Sequence, residues 1–190
     1  MKRNENLDTK SIKKIHDSLA ALIKEVGYDS INVSDIIRKS QVSRSTFYSY
    51  YKSKDDVPDK LIGHIFSHVF SSGLSKEEGH DFSKASVLDY KHIIEHLFYH
   101  FREERELIGQ IFLSSASHRF VNSLSVELSK LVRVLVLQDL LPKKEMPLDL
   151  LVSQYVLGLI GLLREYTIEE RTESPEEMTG YFFSLYEVKI

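Results

Sequence analysis

Apolar residues recur at three- and four-residue steps through most of the chain, and few windows show the alternation of a half-buried strand. The pattern predicts an all-α fold of about nine helices. Ile12, Ile15, Leu19, Leu22, Ile23 and Val26 place a first helix over residues 9–26, with Gly27 as its stop. Asn32 stands at an N-cap position, with Asp35 three residues on, ahead of a short helix over residues 33–40. Ser43 caps the next, over residues 44–51. A fourth helix opens at Asp55 or Asp56, tolerates Pro58 in its first turn, and turns Leu61, Ile62, Ile65, Phe66, Val69 and Phe70 inward. Residues 71–83, with Gly73 and Gly79, read as a loop. Helices follow over residues 84–101, 104–115 and 117–140, and Pro142 and Pro147 bracket a break. A strongly apolar helix covers residues 148–170. The run Ser174-Pro175-Glu176-Glu177 is a capping box that opens a last helix reaching Val188.

Composition narrows the chemistry. The 190 residues include no cysteine, which excludes disulfides, thiolate zinc sites and cysteine nucleophiles and agrees with a cytoplasmic setting. The longest apolar run, residues 156–163, falls far short of the roughly 20 residues of a membrane span, and the charged amino terminus lacks the pattern of a signal peptide. No Gly-rich phosphate loop, GxSxG elbow or acid–base pair points to an enzyme or to a cofactor. The net charge of −3 is distributed unevenly. Residues 1–54 carry 11 Lys/Arg against 6 Asp/Glu, whereas residues 55–190 carry 14 against 22. A basic head of residues 1–54 and an acidic body of residues 55–190 divide the chain, and only the head suits phosphate.

Within the head, the helices at 33–40 and 44–51 are separated only by Gln41, Val42 and Ser43, the spacing of a helix-turn-helix. Ile36, Ile37, Val42 and Phe47 form an inner face. Arg44, Ser45, Thr46, Tyr48, Ser49 and Tyr50 remain for the outer one, and of the three adjacent tyrosines Tyr51 is assigned inward. Arg44 has the donor fork for guanine O6 and N7, while Ser43, Thr46 and the tyrosine hydroxyls suit phosphate oxygens. The stretch Gly27-Tyr28-Asp29, Asn32-Val33-Ser34-Asp35-Ile36-Ile37 and Val42-Ser43-Arg44-Ser45-Thr46-Phe47-Tyr48-Ser49-Tyr50-Tyr51-Lys52-Ser53-Lys54 resembles the signature of the TetR/AcrR family of transcriptional regulators. The resemblance spans residues 9–62. It implies that residues 44–51 form the recognition helix on a double-stranded DNA operator, with Arg44, Ser45, Thr46, Tyr48, Tyr50 and Lys54 at contacting positions. The chain departs from the pattern at Ser40-Gln41, where relatives usually have Ala-Gly, and at Ser45, where many have glycine. A left-handed Gln41, at some cost, is the expected result.

The last two helices present Leu151, Tyr155, Leu159, Leu162, Tyr181, Phe182 and Leu185 as an apolar surface, and Gly158 and Gly161 point to close helix contact. The resemblance implies a homodimer through these helices, and a small-molecule effector among residues 84–170 that switches a repressor. Phe98, Phe101, Phe112 and Tyr155 are the candidate ligand contacts. The alternative is a DNA-binding regulator whose second unit holds a partner protein. His64 and His68, and separately His92, His96 and His100, form stripes at helical spacing. Such stripes invite a metal, but without an HExxH motif the structural or bystander reading is preferred, no metal site is assigned, and whether either stripe binds a metal stays open.

Overall fold

The computed structural model describes residues 2–71, 76–77, 80–81, 90–169 and 171–186. Among them nine α-helices run in order: α1 Lys2–Val26, α2 Val33–Ser40, α3 Arg44–Tyr50, α4 Asp56–Ser71, α5 Tyr90–Glu103, α6 Arg105–Phe112, α7 Ser117–Leu137, α8 Leu148–Ile168 and α9 Pro175–Ser184. The fold is all-α, with a helix-turn-helix head and a helical second unit. Between α4 and α5, within the expected loop, two-residue strands β1 (Lys76–Glu77) and β2 (His80–Asp81) pair antiparallel, Lys76 opposite Asp81. The expected starts and ends at residues 84–89 and Val188 lie outside the described residues, as does the side chain of Phe70.

The helix ends follow local chemistry. Gly27 closes α1 at φ 77°, a value that favours glycine, and a 3₁₀ turn over Tyr28–Ser30 follows. Asn32 and Asp35 form a reciprocal capping box on α2, as do Ser174 and Glu177 on α9, where Pro175 occupies the first turn. Two corrections to periodicity concern α1. It begins at Lys2, seven residues earlier than the apolar pattern indicates, and Val26 is more than half exposed beyond the last core residue.

The head consists of α1 to α3, with Ile15, Leu19, Ile36 and Phe47 fully buried where the three helices meet. It docks through α1 on α6, and α4, which follows it, packs on α5 and α7. In the second unit α8 is central, packed by α5, α6, α7 and α9. That position explains why so much of its circumference is apolar. Leu151, Tyr155, Leu159 and, from α9, Phe182 are buried within the chain, at 5 %, 2 %, 0 % and 0 % exposure, so the broad stripe expected to meet a second copy is core instead. Tyr155 also donates to the Pro142 carbonyl at 2.8 Å and closes the α7–α8 turn. Leu162 is half-buried, while Tyr181 and Leu185 face outward with Leu150 and Leu157. Gly161 lies on this outward side with open space around it, whereas at Gly158 the Tyr186 hydroxyl occupies the place a Cβ would take, and at Gly109 a Cβ would sit 3.3 Å from the Thr167 carbonyl oxygen.

Gln41 ends α2 at φ 56° and ψ 25°, the left-handed conformation that its position implies. A side chain with a Cβ strains there by roughly 1–2 kcal/mol, part of which glycine returns as unfolded-chain entropy. Gln41→Gly is expected to raise stability by about 0.5–1 kcal/mol, read as a shift of the urea midpoint.

Candidate nucleic-acid interface

Gln41, Val42 and Ser43 turn the chain between α2 and α3. Ser43 caps α3: its Oγ accepts the Thr46 N–H at 3.0 Å and lies 2.8 Å from Ser45 Oγ and 2.7 Å from Thr46 Oγ1. Ser49 donates to the Thr46 carbonyl at 2.7 Å. On the inner side Phe47 is fully buried, edge-on to Tyr48 at 5.5 Å and tilted against Tyr51 at 5.6 Å. Outward stand Ser43, Arg44, Ser45, Tyr48 and Ser49, with Thr46 and Tyr50 half-buried. The Arg44 guanidinium lies 5.7 Å from the Tyr48 ring centre, a cation–π contact between two outward residues one turn apart. Arg38 and Lys39 on α2 are also outward, each already in an ion pair, with Asp35 and Glu25.

Lys54 has a more specific setting than a free surface charge. Its Nζ donates to the Tyr28 carbonyl at 2.6 Å and to the Asp29 carbonyl at 3.3 Å, and it sits 4.5 Å from the Tyr28 ring centre. Tyr28 in turn donates to Asp55 Oδ1 at 2.6 Å, and burial with that carboxylate pushes its hydroxyl well above the ordinary range. Asp55 and Asp59 meet Arg119 of α7, so the start of α4 is charge-linked to the second unit. The backbone N–H of Lys52, bonded to the Asp56 carboxylate at 2.8 Å, holds that carboxyl below its usual value.

The head and the second unit also share one buried polar cluster, for which sequence reasoning assigned no role. His16, on the inner face of α1, is 4 % exposed. Its Nε2 meets the Tyr51 hydroxyl at 3.0 Å and its Nδ1 meets Glu104 Oε2 at 3.1 Å. Tyr51 is the residue that ends α3, and Glu104 is the joint between α5 and α6. Burial pushes the Tyr51 hydroxyl up, with the Glu104 charge adding to it. Burial alone would raise the Glu104 carboxyl, but the hydrogen bond and charge of His16 hold it below the usual glutamate range. The available signal was a histidine flanked by Ile15 and Leu19 on an apolar helix face.

Phe98, Phe101, Phe112 and Tyr155, the candidate ligand contacts, are packed in the core, Phe98 edge-on to Tyr166 and Phe112 edge-on to Phe120. None lines either of two open cavities. One, of about 610 Å³, lies beside Gly27, Asp29 and Ser115. The other, of about 680 Å³, opens between α1, α4 and the end of α5 and is lined by His16, Tyr51, His64, His68, His100 and Glu103 among others. The two histidine stripes do not remain separate, because His68 of α4 meets His96 and His100 of α5. His64 faces the cavity, and His92 lies 3.3 Å from Glu95.

A helix-turn-helix with an exposed polar recognition surface, carried on a separate helical body, defines a DNA-binding transcriptional regulator. Residues 15–59 match the family described as bacterial regulatory proteins, tetR family, and residues 89–187 match a transcriptional regulator C-terminal region. The chain belongs to the TetR family. Among solved structures it is similar to a TetR transcriptional regulator from Streptococcus agalactiae 2603V, at 22% identity and TM-score 0.59, covering 97% of both chains. It is also similar to a putative TetR-family regulator from Syntrophomonas wolfei, at 19% identity and TM-score 0.60 over 94% of both chains. A third relative in fold is the dihydroxyacetone kinase operon activator DhaS, at 15% identity and TM-score 0.61 over 93% of both chains. No curated protein sequence matches the chain. Homodimers and repressors are typical of the family, whose members are as a class not enzymes, and no helix among the described residues is long and apolar enough to cross a membrane.

Tyr51→Phe leaves His16 Nε2 buried without its partner and is expected to cost about 1–3 kcal/mol in denaturant unfolding. A second test uses pH. Because the folded Glu104 carboxyl is held below its unfolded value, its contribution is present above roughly pH 4.3 and disappears as pH falls through the folded value. Glu104→Gln should therefore flatten the acid limb of the stability curve, with little change in its slope near neutrality.

Proposed function

We propose that the chain is a dimeric repressor that reads an operator with α3 and is switched by a small effector in its second unit, with the boundary near residues 54 and 55. The observation that carries the reading is the outward row Arg44, Ser45, Tyr48 and Ser49, backed by buried Phe47 and Tyr51. Ser43, Thr46, Tyr50 and Lys54 complete the proposed contact set. The rigid backing matters because base readout needs side chains presented from a fixed frame. Repression is the family's common mode, and the activator DhaS has the same fold, so operator placement decides the sign.

For the dimer, the outward strip of Leu157, Gly161, Tyr181 and Leu185 is the proposed contact, since Leu157 and Leu185 are 59 % and 60 % exposed. An exposed apolar strip on two adjacent helices suits a self-complementary twofold interface. The partner-protein alternative is favoured by the solid packing of Phe98, Phe101 and Phe112. The cleft of about 680 Å³ favours a small ligand, in a different place from those rings.

Selection from a random DNA pool should enrich a near-palindrome. Arg44→Ala is expected to cost about 1–3 kcal/mol at that site and to relax one base pair per half-site. Lys54→Ala should weaken selected and random DNA by similar factors and flatten the salt dependence by about one unit for each phosphate that the head no longer neutralises. An unenriched pool, or binding unchanged in the Arg44→Ala, Lys54→Ala double variant, overturns the DNA assignment. In sedimentation at micromolar concentration, Leu157→Glu with Tyr181→Glu should give folded monomers. Leu159→Glu, placing a charge in the core, should instead unfold the chain.

A further inference from the structure

His68 comes from the last turn of α4, and His96 and His100 are one turn apart on α5. The three rings are in mutual contact, with centres 5.0 Å apart for His68 and His96, 4.7 Å for His68 and His100, and 4.6 Å for His96 and His100. One nitrogen from each lies within 4.8 Å of the other two. The cluster carries three polar rings into a space that aliphatic side chains could fill without polar atoms.

The tautomer of His100 is also set for ligation. His100 Nδ1 lies 3.1 Å from Glu103 Oε2, and a carboxylate only accepts, so Nδ1 carries the proton and the lone pair is on Nε2. That Nε2 accepts a hydrogen bond from His96 Nε2 at 2.9 Å, so an incoming ion takes the place of the proton between the two nitrogens, which His96 releases or moves to its Nδ1. Two nitrogens on a tetrahedral ion, each at roughly 2.05 Å from it, stand about 3.3 Å apart, so a separation a few tenths of an ångström wider than the present one admits the ion. The glutamate fixes the tautomer of the ligating ring from outside the coordination shell, the arrangement that protein metal sites use. His96 is buried at the floor, and His68 and His100 line the cleft of about 680 Å³, which provides a route from solvent and space for a fourth ligand.

We propose that His68, His96 and His100 bind one divalent transition-metal ion of the zinc, cobalt, nickel and copper class, with a water or a small anion in the remaining position. Three neutral nitrogen ligands suit these ions and not calcium or magnesium, which require oxygen. The bound ion ties α4 to α5. α4 begins five residues after Tyr51 ends the recognition helix, and His16 and Tyr51 line the same cleft. A clamp between α4 and α5 therefore fixes how the head sits on the second unit, and the metal acts as the effector of the regulator. This last step rests on the proposed DNA-reading function, whereas the binding of the ion does not.

The test uses the untagged full-length chain, stripped with a chelator and titrated with Co²⁺, whose visible absorption reports tetrahedral nitrogen ligation. One equivalent of Co²⁺ should bind, be displaced by Zn²⁺, and raise the melting temperature. His68→Gln and His100→Gln, both at half-buried positions, should each abolish the absorption, with circular dichroism of the metal-free variants confirming the fold. Glu103→Gln should weaken binding by about 10- to 100-fold. His92→Gln and His118→Gln should leave it unchanged. Absence of saturation at one equivalent, or binding that survives in the His68→Gln, His100→Gln double variant, overturns the site. With DNA selected from the random pool, Zn²⁺ should change the affinity of the native chain and not of the double variant. Equal affinity with and without Zn²⁺ overturns the effector role. Failure to enrich any DNA, with Co²⁺ still bound, overturns the DNA-reading function and leaves the metal site standing.

Discussion

A single buried imidazole joins the two halves of the molecule. His16 is only 4 % exposed where it sits, so its two ring nitrogens take their partners from the protein, and those partners come from opposite halves of the chain. Tyr51 fixes the end of the recognition helix and Glu104 fixes the bend between α5 and α6. A change in the angle between the head and the second unit must lengthen at least one of these bonds. Leaving a polar group unpaired in a buried site is costly, so the junction favours a defined orientation over a continuum. The surrounding contacts between Lys24 and Glu106, Asp29 and Ser115, and Asp59 and Arg119 add polar connections around that point, at sites where water weakens each of them.

The head was legible in sequence because its information is local. Caps, a three-residue turn and an inward Tyr51 depend on neighbours within a few positions, and Asn32, Gln41, Ser43 and Tyr51 all adopt the states their positions require. The second unit was legible in its helices and less so in its faces. Periodicity reveals that Leu151, Tyr155, Leu159 and Phe182 share a stripe with a purpose, but an interior stripe and an interface stripe have the same composition. Only the packing of α8 among four other helices distinguishes them, and that packing is non-local.

The same limit applies to the polar groups. His68 lies 28 positions from His96, and His16 lies 88 from Glu104. Spacing rules operate within one helix, where His96 and His100 are neighbours, and do not extend to which helix lies opposite. The aromatic candidates for ligand binding illustrate the converse: Phe98, Phe101 and Phe112 were conspicuous in sequence because they are large, and large rings are what a helical core needs.

Lys54 is held before any DNA arrives. Its ammonium is anchored by two carbonyls and a ring, so the four-carbon stem has already given up most of its rotational freedom on folding. In the proposed complex a phosphate approaching the head would meet a cation at a fixed place instead of a mobile one, and the entropy of locating it would not be charged to the encounter. The position of that charge relative to α3 then acts as a ruler. On that proposal it would set where along the duplex α3 comes to rest before any base edge is tested, with register imposed by the loop and identity by the helix.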